Sequence, residues 1–418
     1  MLNLPQSPLA RRRRLRALAM FTAFTLFLIF VVMRGSGKKV PTVAAGGVGT
    51  PATTRKSGGA TPVTPSGACL ATPPSYAPGV PPNSDCHNIY AADGPNQLAT
   101  TVVNDPARVY VPSLKSNTVT VIDQATQKVI QTIPVGKEPQ HVVPSYDLKT
   151  LWVNNDKGNS LTPIDPQTGT AGATIPVEDP YNLYFTPDGT RAVVMAEALK
   201  KMDFRDPHTM ALLHSLDVPC SGLNHMDFAP DGRTAVAACE FDGTLLLVDM
   251  TNGQERVLQT LKVGGMPQDV KLSPDATVFY VADMQAGGVH VIDALTFRQI
   301  EFMATGKGAH GLYPSRDGTK LYVSNRDEGS ITVIDFASRR ILAKWVFNNG
   351  KGSPDMGGVS ADGKTLWLSG RYDNEMYAID TTTGKLETAP IKVGREPHGA
   401  CVWPQPGRYS MGHTGVMR

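Results

Sequence analysis

None of the five cysteines in this chain of 418 residues falls in a Cys-x-x-Cys-His string, which excludes covalent attachment of a c-type haem. A Gly-x-Ser-x-Gly elbow and a His-Glu-x-x-His string are missing as well, so the commonest serine-hydrolase and zinc-protease arrangements are not encoded. Charge of either sign is sparse. The 40 Lys and Arg residues nearly balance 37 Asp and Glu, the net charge is +3, and several of the cations crowd into one N-terminal run. No basic groove interleaved with aromatic residues appears, and a nucleic-acid partner is set aside on that ground. Long stretches with helical apolar spacing are also few. What the chain has instead is 40 glycines and 33 prolines punctuating short β-branched runs, the pattern of strands joined by tight turns.

The N-terminus sets the expected compartment. Arg11, Arg12, Arg13, Arg14 and Arg16 precede an apolar run from Ala17 to Met33, just long enough to cross the hydrocarbon core of a bilayer as a helix. These arginines outweigh Arg34, Lys38 and Lys39 on the other side, so the positive-inside bias retains residues 1–16 in the cytoplasm and exports everything after the run. A cleaved secretory signal is the competing reading, with its nearest small-residue site around Ala44 and Ala45. The expected organisation is a basic tail over 1–16, a single-pass membrane anchor over 17–33, a Pro/Gly/Thr-rich linker over 34–86 and an extracytoplasmic folded body over 87–418. The linker composition buries too little apolar surface to fold and favours a semi-extended spacer. Cys69 and Cys86 flank a proline-rich stretch and are candidates for one disulfide. Cys220 and Cys239 fall within one repeat, at strand ends that antiparallel pairing about the Pro230–Gly232 turn brings together, and are candidates for a second. Cys401 is left over on an apolar strand, as a buried small hydrophobe.

Self-similarity is the strongest signal. Asp123, Asp165, Asp206, Asp249, Asp293, Asp335 and Asp380 recur every 41 to 45 residues, each opening a polar turn in which the carboxylate can accept from backbone amides two residues on. An Asp-Gly turn lies upstream in most units, at Gly189, Gly232, Gly318 and Gly363. Two hairpins per unit make four short strands, which is the signature of a propeller blade. Apolar spacing of two, as in Val119 and Val121, excludes helical repeats. The units number seven. The segment His398–Trp403 reads as a first strand without the rest of its blade, while the first unit begins at its second strand, so the two chain ends are expected to complete one blade and close an all-β, seven-bladed β-propeller.

Tyr322-Val323-Ser324-Asn325 follows an Asp-Gly turn, and Tyr110-Val111-Pro112-Ser113, Trp152-Val153-Asn154-Asn155 and Tyr280-Val281-Ala282-Asp283 stand in register with it. From about residue 107 to the C-terminus the chain resembles the YVTN-type β-propeller repeat family, which includes surface-layer proteins and propellers like the amine dehydrogenase β-chain. The resemblance implies the fold. It leaves function open, since propellers host unrelated activities.

In a propeller the entries to the innermost strands meet at one mouth of the central channel. That column reads Gln140-His141, Tyr181-Asn182, Asn224-His225, Gln268-Asp269, His310-Gly311, Asp355-Met356 and His398-Gly399. Four imidazoles gathered with carboxylates suit Cu, Zn or Fe, with His225, His310 and His398 as the candidate metal ligands. Against this, the family's repeat often carries a His-Gly pair here, so His310 and His398 can serve only to bond a neighbouring blade. His141 and His225 sit one position later, where strand alternation turns them the opposite way. A second column, one residue past each second strand, contains Arg326 and Arg371, which with His310, His398 and Asp355 could grip an anionic ligand. His413, in the C-terminal tail, could reach the same mouth, although exposure is the default for a tail residue. Two functions follow: a binding module presenting its mouth to an extracytoplasmic protein or small ligand, or a metal- or cofactor-dependent redox or hydrolytic enzyme.

Overall fold

The computed structural model describes residues 77–83, 85, 87–413 and 415–418. They form seven antiparallel sheets. The innermost strands of blades 2 to 7 are Pro139–Pro144, Asn182–Phe185, Leu223–Phe228, Pro267–Leu272, Ala309–Pro314 and Pro354–Val359. Blade 1 contains Arg108–Ser113, Thr118–Asp123 and Lys128–Pro134, and takes its innermost strand, Cys401–Trp403, from the other end of the chain. There Arg108 faces Trp403 and Tyr110 faces Cys401. The molecule is a seven-bladed β-propeller closed by its C-terminal strand, as the repeat implies.

The period-two pattern explains how the blades stack. Second and third strands present apolar residues on both faces and are buried, whereas outer strands such as Lys128–Pro134 have only one buried residue. Seven separate apolar clusters result, one between each neighbouring pair of blades. The cluster of Val109, Ile122, Trp367, Ala378 and Val402 joins blade 7 to blade 1, so closure rests on the same side-chain packing as every other junction.

Local turn chemistry fixes the strand ends. The recurrent aspartates behave as expected: Asp123 Oδ1 accepts from the Thr126 amide and hydroxyl at 2.8 and 2.7 Å, and Asp293 and Asp380 do the same with Thr296 and Thr383. A second device closes the inner hairpins. Ser145, Ser273, Ser315 and Ser360 each donate to the Asp two residues on, while their Oγ atoms accept from the amide five residues on. Two strings that fit nucleotide-binding spacing, Gly306–Gly311 and Gly358–Thr365, lie on turns and antiparallel strands with no helix following. Neither has the context that phosphate binding requires.

The segment expected as spacer already engages the ring from Ala77, whose amide donates to the Asp231 carbonyl at 2.8 Å. Val80 is buried there, and Tyr90 donates to the Leu272 carbonyl at 2.7 Å. Cys220 and Cys239 form a disulfide, and Cys401 is free and buried. Cys69, Cys86, the Ala17–Met33 run and most of the linker lie outside the described residues. No helix among the described residues is long and apolar enough to cross a membrane.

After the closing strand the chain turns back into the channel. Ser410 pairs with Met417, and the Met411 amide donates to the Val416 carbonyl, so the tail forms a narrow hairpin with His413 at its tip. The Phe185 amide donates to Met411, and the His413 amide donates to Leu183, both on the innermost strand of blade 3. Arg418 pairs with Asp227 at 3.1 Å and lies over the Tyr90 ring. The channel is plugged from the side opposite its mouth.

Candidate metal and ligand site in the channel

Strand alternation alone would point His310 and His225 in opposite senses, since they occupy successive positions of their repeats. The structure brings both into the channel. The innermost strands of blades 6 and 4 carry a bulge at their entry: Ala309 faces Asn325 while Leu312 faces Val323, and Leu223 faces Cys239 while Met226 faces Ala237. One extra residue on the inner strand suspends the alternation, so two successive side chains face inward. Blades 2, 5 and 7 carry the same irregularity.

Two levels of polar side chains result. The upper level holds His310, Asp355 and His398. Asp355 accepts from His398 Nδ1 at 2.6 Å and from Arg326 Nη1 at 3.3 Å, and His310 Nδ1 lies 3.2 Å away without a hydrogen-bond partner. Burial alone would raise this carboxyl, but the two imidazoles and the guanidinium outweigh it and hold Asp355 well below the usual carboxylate range. The lower level holds His141 and His225, and His413 enters between them from the tail. Ring centroids are 5.6 Å apart for His141 and His225, 5.2 Å for His141 and His413, and 4.6 Å for His225 and His413. These three offer nitrogens that all lie within 4.8 Å of one another. Bonds of about 2.0–2.1 Å would bring such nitrogens to about 3.3 Å, a closure that small ring rotations supply. Upper and lower levels adjoin, with His141 and His398 at 5.0 Å and His225 and His310 at 6.3 Å.

Hydrogen bonding separates occupied from unoccupied nitrogens. His141 Nδ1 lies 3.0 Å from the Tyr181 carbonyl, which requires the proton on Nδ1 and leaves Nε2 with a lone pair and no partner. Both His225 nitrogens lack a partner. His413 Nδ1 lies 3.1 Å from Asn182 Nδ2 and its Nε2 lies 3.7 Å from Asp269. All five imidazoles are at most 3% exposed. Burial pushes His141, His225, His310 and His413 well below the ordinary imidazole value, and His398 down to about 3. They are neutral, which is the ligand form; His413 Nδ1 accepts from Asn182, so it would take an ion only by exchanging that bond.

The sequence set His225, His310 and His398 apart as the metal ligands. The structure groups His225 with His141 and His413 and engages His310 and His398 with Asp355. His413 is the member whose sequence context gave least warning, because the tail lacks any repeat. The mouth itself is rimmed by Arg326 and Arg371 on one side and by Asp156, Glu197 and Glu240 on the other. Burial, then the neighbouring Glu240 and Asp156, lifts the Glu197 carboxyl to about 8, and burial raises Glu240. Tyr181, 8% exposed, lies between this rim and His141.

A family model described as YNCE-like beta-propeller matches residues 80–406. Solved structures with the same fold include hydrazine synthase from Kuenenia stuttgartiensis, 20% identical over 62% of this chain and 87% of its own, with a TM-score of 0.53. A functionally unknown protein from Desulfotomaculum acetoxidans is 16% identical over 70% of this chain and 98% of its own, at 0.59. Dihydro-heme d1 dehydrogenase NirN in complex with DHE is 14% identical over 73% of this chain and 76% of its own, at 0.56. At these identities the likeness is one of fold. No curated protein matches the chain.

Proposed function

Since the chain belongs to the YNCE-like beta-propeller family, and a propeller fold by itself does not fix a function, we propose that it is an extracytoplasmic binding module whose channel holds a transition-metal ion. His141, His225 and His413 are the ligands of this reading. The observation that carries it is the His225 ring, fully buried with neither nitrogen partnered, beside an equally unpartnered His141 Nε2. Buried polar atoms left in this state cost about 1–3 kcal/mol each, and a bound ion would remove that cost for one nitrogen of His225 and for His141 Nε2. Neutral imidazoles without a thiolate suit copper and zinc, the most tightly bound of the common first-row ions, over iron.

Full burial of the three imidazoles favours holding an ion or passing an electron over hydrolysis, which needs substrate access to the position that three ligands leave open. Location outside the cytoplasm, on a membrane anchor at Ala17–Met33, is part of the proposal. It is supported by the charge bias around that run and by the Cys220–Cys239 disulfide, which persists in oxidising compartments.

The test is metal analysis of the full chain after chelator treatment and reloading with Cu or Zn. About one equivalent per chain is expected, falling below a tenth of that in His225→Ala and in His413→Ala while circular dichroism stays unchanged. Failure of the wild type to retain either ion, or full retention by both variants, would overturn the proposal.

A further inference from the structure

The rim of the mouth carries acids along one arc and arginines along another, with no ion pair between the two arcs among the described residues. The residue after each second strand occupies an equivalent place: the amides of Asp156, Glu240, Met284, Arg326 and Arg371 each donate to the carbonyl just before the innermost strand of their own blade. Glu197 follows the second strand of blade 3 in the same way. Acids therefore occupy blades 2, 3 and 4, and arginines occupy blades 6 and 7. Met284 of blade 5 and Leu114 of blade 1 separate the two arcs.

The arcs do not satisfy each other. Asp156 pairs with Lys157, and Arg326 with Asp355 and Asp327. Among the described residues no ion pair links an acid of one arc to an arginine of the other. Arg371 Nη1, Arg326 Nε and Asp156 Oδ1 are buried atoms without a hydrogen-bond partner. Arg326 is itself only 8% exposed, and its guanidinium is stacked near the Tyr372 ring at 5.5 Å. Rigid blades hold the two arcs apart, so a partner for these unpartnered atoms has to come from something placed between them.

An anion alone would satisfy the arginines and leave the acids, and a cation alone would do the reverse. We propose that the mouth binds a small zwitterion, an amino-carboxylate whose carboxylate lies against Arg371 and Arg326 and whose ammonium lies against Glu197 and Glu240. A planar guanidinium fork matches a carboxylate, and an ammonium can donate to the Glu240 carboxylate and to Glu197, whose proton leaves to solvent as the ammonium arrives. The separation of the arcs sets the preferred spacing between the two ligand charges. The inference does not depend on a metal, because the rim lies above the histidines and uses none of them.

Isothermal titration of the full chain with a series of ω-amino acids, from glycine to 6-aminohexanoate, tests it. One length is expected to bind at least tenfold more tightly than the carboxylate or the amine of equal carbon number. Arg371→Gln and Glu240→Gln should each lower that affinity at least tenfold, and Arg371→Lys should recover part of the loss, with melting temperatures checked for every variant. Chelator-treated, metal-free protein should bind with unchanged affinity, so that this inference and the metal reading fail separately. No binding across the series, equal binding of the single-charged compounds, or indifference to both substitutions in folded protein would overturn it.

Discussion

Beside the His141 imidazole the closing segment carries a glycine, and the reason is spatial. A Cβ at Gly399 would lie 2.1 Å from His141 Cδ2, closer than any real contact. The His-Gly pair that the sequence suggested as a mere family habit thus has a role at the lower level of the channel: the glycine leaves room for an imidazole from blade 2. Gly399→Ala is expected to displace His141 and weaken metal retention at least tenfold, with a melting temperature close to that of wild type, read by competition with a chromophoric chelator. Glu197 gives the pH dependence. Its folded value of about 8, against 4.5 for an unhindered glutamate, means that the folded chain keeps a proton the unfolded chain releases. The stability this lends is complete below pH ~4.5 and drains as pH rises to about 8, by at most about 1.4 kcal/mol per unit. Glu197→Gln cannot lose that proton. Its melting temperature relative to wild type should climb steadily between pH 5 and 8.5, and a difference that stays flat over this range would contradict the assignment.

Single strands were legible because their side chains repeat with period two, and the recurrent Asp turns marked their ends correctly. The entry bulge was not legible. It inserts one residue without any special residue type, so simple alternation put His141 and His225 on the wrong side of their strands, away from His310 and His398. The inner strand of blade 7 shows what the bulge achieves. It aims Asp355 at His310 from blade 6, at Arg326 from the same blade 6, and at His398 from the closing segment. One carboxylate therefore ties three consecutive parts of the ring. Asp355→Asn would strip the countercharge from a guanidinium that is 8% exposed. Removing one partner of such a buried pair costs about 3–5 kcal/mol, because the other charge is left uncompensated. Urea denaturation should show an unfolding free energy lower by that amount, read as a lower midpoint with an unchanged slope.

On the scale of the whole molecule, blade number and closure followed from the repeat, because each unit brings the same four strands and the two chain ends lack complementary ones. The tail after Pro404 carries no repeat, and its insertion into the channel had no sequence signal beyond the presence of His413. Ring closure and site assembly are thereby joined in one short segment. Trp403 is fully buried, its Nε1 donates to Asp105 at 2.9 Å, and its carbonyl accepts from Gln124 at 2.9 Å, so it anchors both the seam and the start of the tail. Trp403→Ala should cost about 3–5 kcal/mol through the lost side chain. It should also release the metal, since the hairpin that presents His413 loses its fixed origin. Leu321→Ala is the control. Leu321 is equally buried, in the cluster between blades 5 and 6, and its loss should cost about 2–5 kcal/mol without touching the tail. Melting temperature and metal content measured together separate the two: both fall in Trp403→Ala, and only the first falls in Leu321→Ala. Parallel loss of metal in the two variants would mean that the site responds to global stability, not to the closing segment.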